Sequence, residues 1–299
     1  KKPSNTRPDY QGFMCWWNLD SNTIEFYSGE ELIEKLHPDQ LIISKPKNFP
    51  IKTFDEIIIS FYNQRKFNNS ELLNLNKQLE QIKNSVEKKY GINVYAVATD
   101  LSVSDGFVDI NNCLNSNRLT VTYLVNNAGF GDYGMFTERS MEKYTEMLGL
   151  NIISLTELTY YFAKQMIENG KGKILNVAST AGIQPDPYFA VYGASKAYVI
   201  SLTEAIHKEF ENTGVTATVL SPGATKTEFM ERADMNNAKL YDKGVMTAKE
   251  VARVGFNGMM KGKLHVIPGL KNRILAFFSS ITPSSKIRLN MAAKVMLAK

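Results

Sequence analysis

Three short apolar runs constrain what this chain can fold into: VTYLV (121–125), KILNVAS (173–179) and TATVL (216–220). Each is strand-length and breaks at its end into a loop of small or polar residues. Between them lie segments of helical character, over about 140–168 and from Tyr192 to about Asn212. Strands that alternate with helices build an α/β fold with a parallel sheet. At the carboxyl ends of parallel strands, small-residue loops let backbone approach a flat ligand.

The flanking segments continue the alternation. Leu75, Leu79, Ile82 and Val86 step by four, three and four, which predicts an amphipathic helix from about Leu72 that Gly91 caps. NVYAVATDLS then reads as a buried strand, 104–116 as a helix, TAKEVARVGFNGMMKGK as a helix opening at Thr247, and LHVIPGL as a final short strand and turn.

Chemistry concentrates between Val177 and Lys196. Ser179 closes the second apolar run, Pro185 and Pro187 keep the following loop extended, and Tyr192 and Lys196 stand four residues apart on a helix-like run. Side chains at i and i+4 share a helix face, so a phenol and an ammonium lie side by side. A tyrosine hydroxyl, with an ordinary pKa of about 10, exchanges protons poorly near neutrality unless a cation favours its phenolate. Lys196 can supply that cation, and Ser179 can hydrogen-bond a carbonyl or alcohol oxygen. Tyr-x-x-x-Lys also arises in ordinary helices, with the tyrosine amphipathic, the lysine solvated and the serine a cap.

Asn126-Asn127-Ala128-Gly129 after VTYLV and Ser221-Pro222-Gly223 after TATVL decide between those readings. With a serine thirteen residues before a Tyr-x-x-x-Lys, in this order and spacing, the chain resembles the short-chain dehydrogenase/reductase family over about 72–285. The resemblance implies a Rossmann-like, doubly wound parallel sheet and an oxidoreductase that interconverts a carbonyl and an alcohol with NADP or NAD. It implies a catalytic tetrad of Ser179, Tyr192, Lys196 and Asn151, the last set in LGLNIIS where the family places a structural and relay asparagine. It further implies cofactor contacts at Asp100, Leu101, Asn127, Ala128, Gly129, Tyr192, Lys196, Pro222, Gly223, Thr225 and Thr227. Asp100 read alone is equally a turn or helix cap, and Asn151 a helix residue bonded to nearby backbone. A mobile lid is expected to follow Thr227 through about Gly244, its Met content suited to an apolar substrate and equally to a plain helix. The ending resembles the bacterial ketoacyl-reductase and hydroxysteroid-dehydrogenase-like branch, which tilts the expectation toward NADP. Pairing through the helices of Asn151 and Tyr192, to a homodimer or homotetramer, also follows from the resemblance.

Residues 1–68 depart from it. Family members open on a strand and a Thr-Gly-x-x-x-Gly-x-Gly loop whose backbone N–H groups hold a pyrophosphate at a helix start. No such cluster exists here; Gly12 and Gly29 are the only glycines of this segment. SGEELIEKL reads as a short helix capped by Ser28, DQLIIS as a strand, KPKNFP as a loop, and 54–65 as an amphipathic helix from Phe54, Ile57, Ile58, Phe61 and Tyr62 behind a Thr53–Glu56 capping box. Lys45-Pro46-Lys47, after QLIIS, is a poor phosphate loop. The expected organisation is an atypical segment over 1–68 with its first β-α-β unit degenerate or replaced, a Rossmann-like domain over 69–270 and a basic tail over 271–299. A scaffold that no longer turns over, and an active enzyme whose amino-terminal sequence is disrupted by a frameshift or fusion, stand beside the working reductase as alternatives.

Net charge is a mild +5, which does not suggest a nucleic-acid partner, and it is uneven: from Lys271 to Lys299 six basic residues and no acidic one surround ILAFFSSI. Such a tail suits peripheral contact with an anionic membrane or acidic partner, or a solvated helix docked by its apolar face. Cys15 and Cys113 lack metal spacing, and His37, His207 and His265 are scattered, so no metal site is expected. Without an apolar run near the roughly 20 residues that span a bilayer, and without a signal-peptide core, the expected location is cytoplasmic.

Overall fold

The computed structural model describes residues 12–18, 23–24, 27–28, 31–32, 56–62, 69–102, 105–227, 229, 233 and 245–296. In chain order the elements are β1 (Gly12–Asn18), β2 (Thr23–Ile24), β3 (Tyr27–Ser28), β4 (Glu31–Leu32), β5 (Glu56–Tyr62), α1 (Asn69–Tyr90), β6 (Asn93–Ala98), α2 (Asp105–Asn117) and β7 (Val121–Asn126). They continue with α3 (Met141–Leu148), a π-helical turn (Gly149–Ser154), α4 (Leu155–Glu168), β8 (Gly172–Val177), α5 (Ala190–Glu209) and β9 (Val215–Leu220). Last come β10 (Thr225–Lys226), β11 (Met246–Thr247), α6 (Ala248–Met260), β12 (His265–Val266), α7 (Leu270–Ile281) and α8 (Ser285–Met296).

The main sheet runs β12-β9-β8-β7-β1-β5-β6. Every neighbouring pair on that path is parallel, and only β2 adds to β1 antiparallel. The strand order reverses between β1 and β7, so the sheet is doubly wound with its switch point beside the loop after Asn126. Paired residues share a face. Val125 and Leu175, paired in register, pack with Val86, Phe256 and Met259 toward α1 and α6. Leu124 and Ile174, one residue earlier, pack with Ile110, Leu158 and Phe162 toward α2 and α4.

The amino-terminal segment departs from the sequence expectation in three places. Residues 56–62 form a strand, not the amphipathic helix expected over 54–65: Glu56 to Tyr62 pairs along its length with β1, and Glu56 to Phe61 pairs with β6. Three consecutive isoleucines, Ile57 to Ile59, suit a strand flanked on both sides better than a helix, because such strands carry continuous apolar runs and β-branched side chains crowd a helical turn. Ser28 is not a helix cap. Tyr27 pairs with Leu32 and Ser28 with Glu31, antiparallel, with only Gly29 and Glu30 between them in sequence, a spacing a tight hairpin favours. The strand nearest the switch point is GFMCWWN (12–18), which pairs with both β7 and β5; DQLIIS and KPKNFP lie outside the described residues. Elsewhere the expected helices and strands are present, and Thr247 and Glu250 form a complete capping box at the start of α6.

A buried polar chain ties the central strands to the helices that carry the site. Asn126 Nδ2 donates to Thr159 Oγ1 at 2.9 Å and to Asn176 Oδ1 at 2.8 Å, and Asn176 Nδ2 donates to Thr203 Oγ1 at 3.0 Å. It links β7 and β8 to α4 and α5. Replacing Asn176 by Ala leaves buried groups on both sides without their partner, so Asn176→Ala should lower unfolding free energy by about 1–3 kcal/mol, read from the urea midpoint. An unchanged midpoint would show that the chain is not structural.

Candidate active site

Three strand ends converge at the carboxyl edge of the sheet. β7 delivers Asn127, Ala128 and Gly129, all half-buried; β8 ends at Val177 and passes through Ala178 to Ser179; β9 leads through Ser221 into Pro222 and Gly223. The last two ends are laced together, since Ala178 N–H donates to Leu220 O at 2.7 Å and Thr180 N–H to Pro222 O at 2.8 Å. Ser179 caps the short turn Thr180–Gly182 and accepts from Ala181 N–H at 3.1 Å, which leaves its own hydroxyl proton to donate.

Tyr192 and Lys196 sit in the first two turns of α5, with exposures of only 7% and 3%. The phenol ring stacks on Phe189 at 4.3 Å between centroids and meets Phe229 at 5.3 Å, so aromatic packing fixes its direction. Lys196 Nζ lies 5.7 Å from the Tyr192 ring centroid and donates to Val177 O at 2.9 Å. Burial pushes the Lys196 ammonium down to about 8, because removal from water disfavours the charged form.

The expected asparagine arrives at the same place by an unusual route. Asn151 is fully buried inside the π-helical turn, where α3 would otherwise run straight into α4. Its Nδ2 donates to Phe130 O and to Ser195 Oγ, both at 3.0 Å, and its Oδ1 accepts from Phe130 N–H at 3.2 Å. A methyl group built on Gly129 would fall 2.8 Å from Asn151 Oδ1 and 3.1 Å from Lys196 Nζ. Glycine is therefore required there, and Gly129, Asn151 and Lys196 meet around one point. On the far side, a Cβ at Gly182 would lie 2.5 Å from the Lys196 carbonyl carbon, so the Ser179 turn rests directly on the backbone of α5.

The remaining expected positions are placed less uniformly. Asp100 Oδ1 accepts from Ser102 N–H at 2.8 Å and from Ser102 Oγ at 2.7 Å, which is the turn-capping role open to it from sequence. Leu101 is buried in the core cluster with Ile110, Phe130 and Leu150. Pro222, Gly223, Thr225 and Thr227 are half-buried; Thr225 Oγ1 donates to Gly223 O at 2.9 Å and Thr227 Oγ1 accepts from Phe229 N–H at 3.3 Å. Most of the lid expected after Thr227 lies outside the described residues.

Several contributing residues carried no clear sequence signal. Ser195 is fully buried, receives Asn151 Nδ2 and donates to Tyr192 O at 2.7 Å, so it couples the asparagine to the turn bearing the tyrosine. Asp132 anchors the loop after Gly129 to the start of α3: Arg139 Nε and Lys143 Nζ each reach it at 2.7 Å. Burial raises the Asp132 carboxyl, but hydrogen bonds from Arg139 and Lys143 outweigh burial and hold it below the usual range. His265 braces the third strand end, with Nδ1 2.9 Å from Glu204 Oε1 and Nε2 2.8 Å from Ser221 Oγ. Among the described residues, no group of three or more His, Cys, Asp or Glu side chains could hold a metal ion.

A doubly wound sheet with buried tyrosine and lysine at its switch edge defines a class of nucleotide-dependent enzyme, and the comparisons place the chain within it. The short chain dehydrogenase family matches over residues 68–238, and the chain belongs to that family. The very-long-chain 3-oxoacyl-CoA reductase of Rattus norvegicus is 25% identical over 229 residues, 73% of this chain and 71% of the relative. Among solved structures, a 7beta-hydroxysteroid dehydrogenase superposes with a TM-score of 0.67 at 20% identity, covering 79% of this chain and 86% of the other. A short-chain dehydrogenase from Sphingobium yanoikuyae in complex with NADPH superposes with a TM-score of 0.62 at 23% identity, covering 77% and 87%.

Asp186, in the loop before Tyr192, provides a pH test of this geometry. Burial pushes its carboxyl from 3.8 up to about 7, opposed only by a 3.5 Å contact from Gln184 Nε2. The folded state thus holds this proton more tightly than the unfolded state. Its stabilising contribution is full below pH 3.8 and is lost as the pH rises to about 7. Asp186→Asn should flatten the dependence of unfolding free energy on pH across that interval and stabilise the protein above it. An identical pH slope in wild type and variant would contradict the buried placement.

Proposed function

We propose that the chain is an NAD(P)(H)-dependent oxidoreductase that interconverts a carbonyl and an alcohol, with Tyr192, Lys196, Ser179 and Asn151 as its working residues. The observation that carries this reading is the convergence of Lys196 Nζ, Asn151 Oδ1 and Gly129 beside the Tyr192 ring at the ends of β7 and β8.

The residues present fit the nicotinamide and ribose half of such a cofactor. Gly129, with no side chain, lets the loop after β7 pack directly on Asn151 and Lys196, and the buried Lys196 ammonium has the Val177 carbonyl at hydrogen-bonding distance. Lys196 would hold the ribose hydroxyls, and the Pro222-Gly223 loop would close over the nicotinamide. The cofactor, when bound, supplies or accepts the hydride. Tyr192 passes a proton to the substrate oxygen in reduction and removes it in oxidation. The nearby Lys196 charge favours negative charge on the Tyr192 oxygen, and Ser179 donates a hydrogen bond to the same substrate atom. Asn151 holds the Phe130 backbone and Ser195 in place and so keeps Gly129 above Lys196. The very-long-chain 3-oxoacyl-CoA and 7beta-hydroxysteroid relatives support a bulky apolar substrate, and neighbours in complex with NADPH and with NAD support an NAD(P) cofactor.

One observation favours a competing reading. β1 ends at Asn18, beside the switch point, and the sequence continues Leu19-Asp20-Ser21-Asn22 without the glycines that bring backbone N–H groups to a pyrophosphate. A chain unable to hold the phosphates would be a binding scaffold. Exposed Ile153, Tyr160 and Tyr198 on the π turn, α4 and α5 also support pairing of two copies across those helices.

Turnover separates the readings. With NADPH and a panel of bulky ketones, the wild type should oxidise NADPH, and Tyr192→Phe should lower kcat by about 10²–10⁴-fold while leaving NADPH binding intact. Equal rates in both, or no turnover by a folded wild type that binds no cofactor, would sink the enzyme reading.

A further inference from the structure

α7 is built inside out. Its inward positions are Asn272, Ala276 and Ser279, small or polar and half-buried, and none of its residues is buried. Leu270, Ile274, Phe277, Phe278 and Ile281, at spacings of four, three, one and three, face solvent, with Leu270 71% and Phe277 60% exposed. Lys271 and Arg273, both exposed, stand on opposite sides of that stripe by the 3.6-residue repeat. A helix that must bury an apolar stripe normally turns it to the core, and a soluble surface rarely leaves such a strip uncovered. α8 extends the surface with exposed Lys286 and Ile287. An apolar stripe flanked by cations is the pattern of a helix lying in a membrane interface, stem in the acyl boundary and charges at the headgroups.

α7 is also strapped to both loops that frame the candidate active site. A Cβ on Gly223 would lie 2.6 Å from the Asn272 amide, so the helix packs against the loop after β9. Ser279 Oγ donates to Gln184 Oε1 at 2.6 Å, in the loop between Ser179 and Tyr192.

We propose that the outward face of α7 docks this protein on an anionic lipid surface and sets the mouth of the site against the bilayer, from which an apolar carbonyl substrate enters. The occupant is assigned by charge: exposed Lys271, Arg273 and Lys286, in a stretch of sequence from Lys271 to Lys299 without an acidic residue, complement phosphatidylserine-type headgroups rather than a second copy of the same basic surface. No helix among the described residues is long and apolar enough to cross a membrane, so contact through α7 is interfacial. Delivery of substrate rests on the proposed oxidoreductase activity; docking does not.

Co-sedimentation of the full chain with vesicles tests docking without reference to activity. Binding is expected to vesicles of phosphatidylcholine mixed with phosphatidylserine, to weaken with added salt, and to fall by about tenfold or more in Phe277→Ser/Phe278→Ser with unchanged circular dichroism. A soluble ketone should be reduced equally by wild type and variant, whereas a ketone dissolved in the vesicles should be reduced more slowly by the variant. Absence of binding, equal binding to pure phosphatidylcholine, or self-association that the same substitutions abolish would each overturn the proposal. Docking without any reduction would instead overturn the enzyme reading alone.

Discussion

The structure depends on keeping one ammonium out of water. Lys196 is held at the end of β8 with its charge against the Val177 carbonyl, and little solvent reaches it. A buried cation is costly unless its surroundings are fixed, and burial pushes the Lys196 ammonium down to about 8. The elements near it are arranged accordingly. Gly182 lets the Ser179 turn lie on α5, Gly129 lets the loop after β7 pack against Nζ, and Asn151 in the π turn bonds Phe130 and Ser195. Inside the π turn Asn151 is fully buried with its amide hydrogen-bonded to Phe130 and Ser195.

That arrangement explains why the site was legible where it was. Ser179, Tyr192 and Lys196 announce themselves because each lies on a regular element, a strand end or adjacent helical turns, where spacing translates into position. The Asn126 and Pro222 loops were legible for the same reason. Ser195 was not, since a serine inside a helix usually back-bonds locally and only the fold reveals Asn151 on its other side. Asp132 and His265 depend on partners brought in by a loop or from a distant element, which one-dimensional spacing does not encode.

The amino-terminal strands show the opposite failure. Ile57, Ile58, Phe61 and Tyr62 satisfy helical spacing, yet the same run satisfies a strand flanked on both sides, and only pairing with residues 12–18 and 93–98 decides. Intrinsic preference is weak evidence when tertiary pairing is available. α7 shows a further limit. Its composition was plain in the sequence, but only the fold shows that the side with Asn272 and Ser279 lies against Gly223 and Gln184.

If the strand ends around Lys196 form a cofactor site, they must hold NADP(H) even with an atypical sequence after Asn18. Isothermal titration of the full chain with NADPH tests this most directly. One site per chain with micromolar affinity is expected, lost when Gly129→Val pushes Asn151 and Lys196 out of place in a protein that still folds. A folded wild type that shows no heat of binding up to millimolar NADPH or NADH would contradict it, and would leave the buried lysine with no cofactor to serve.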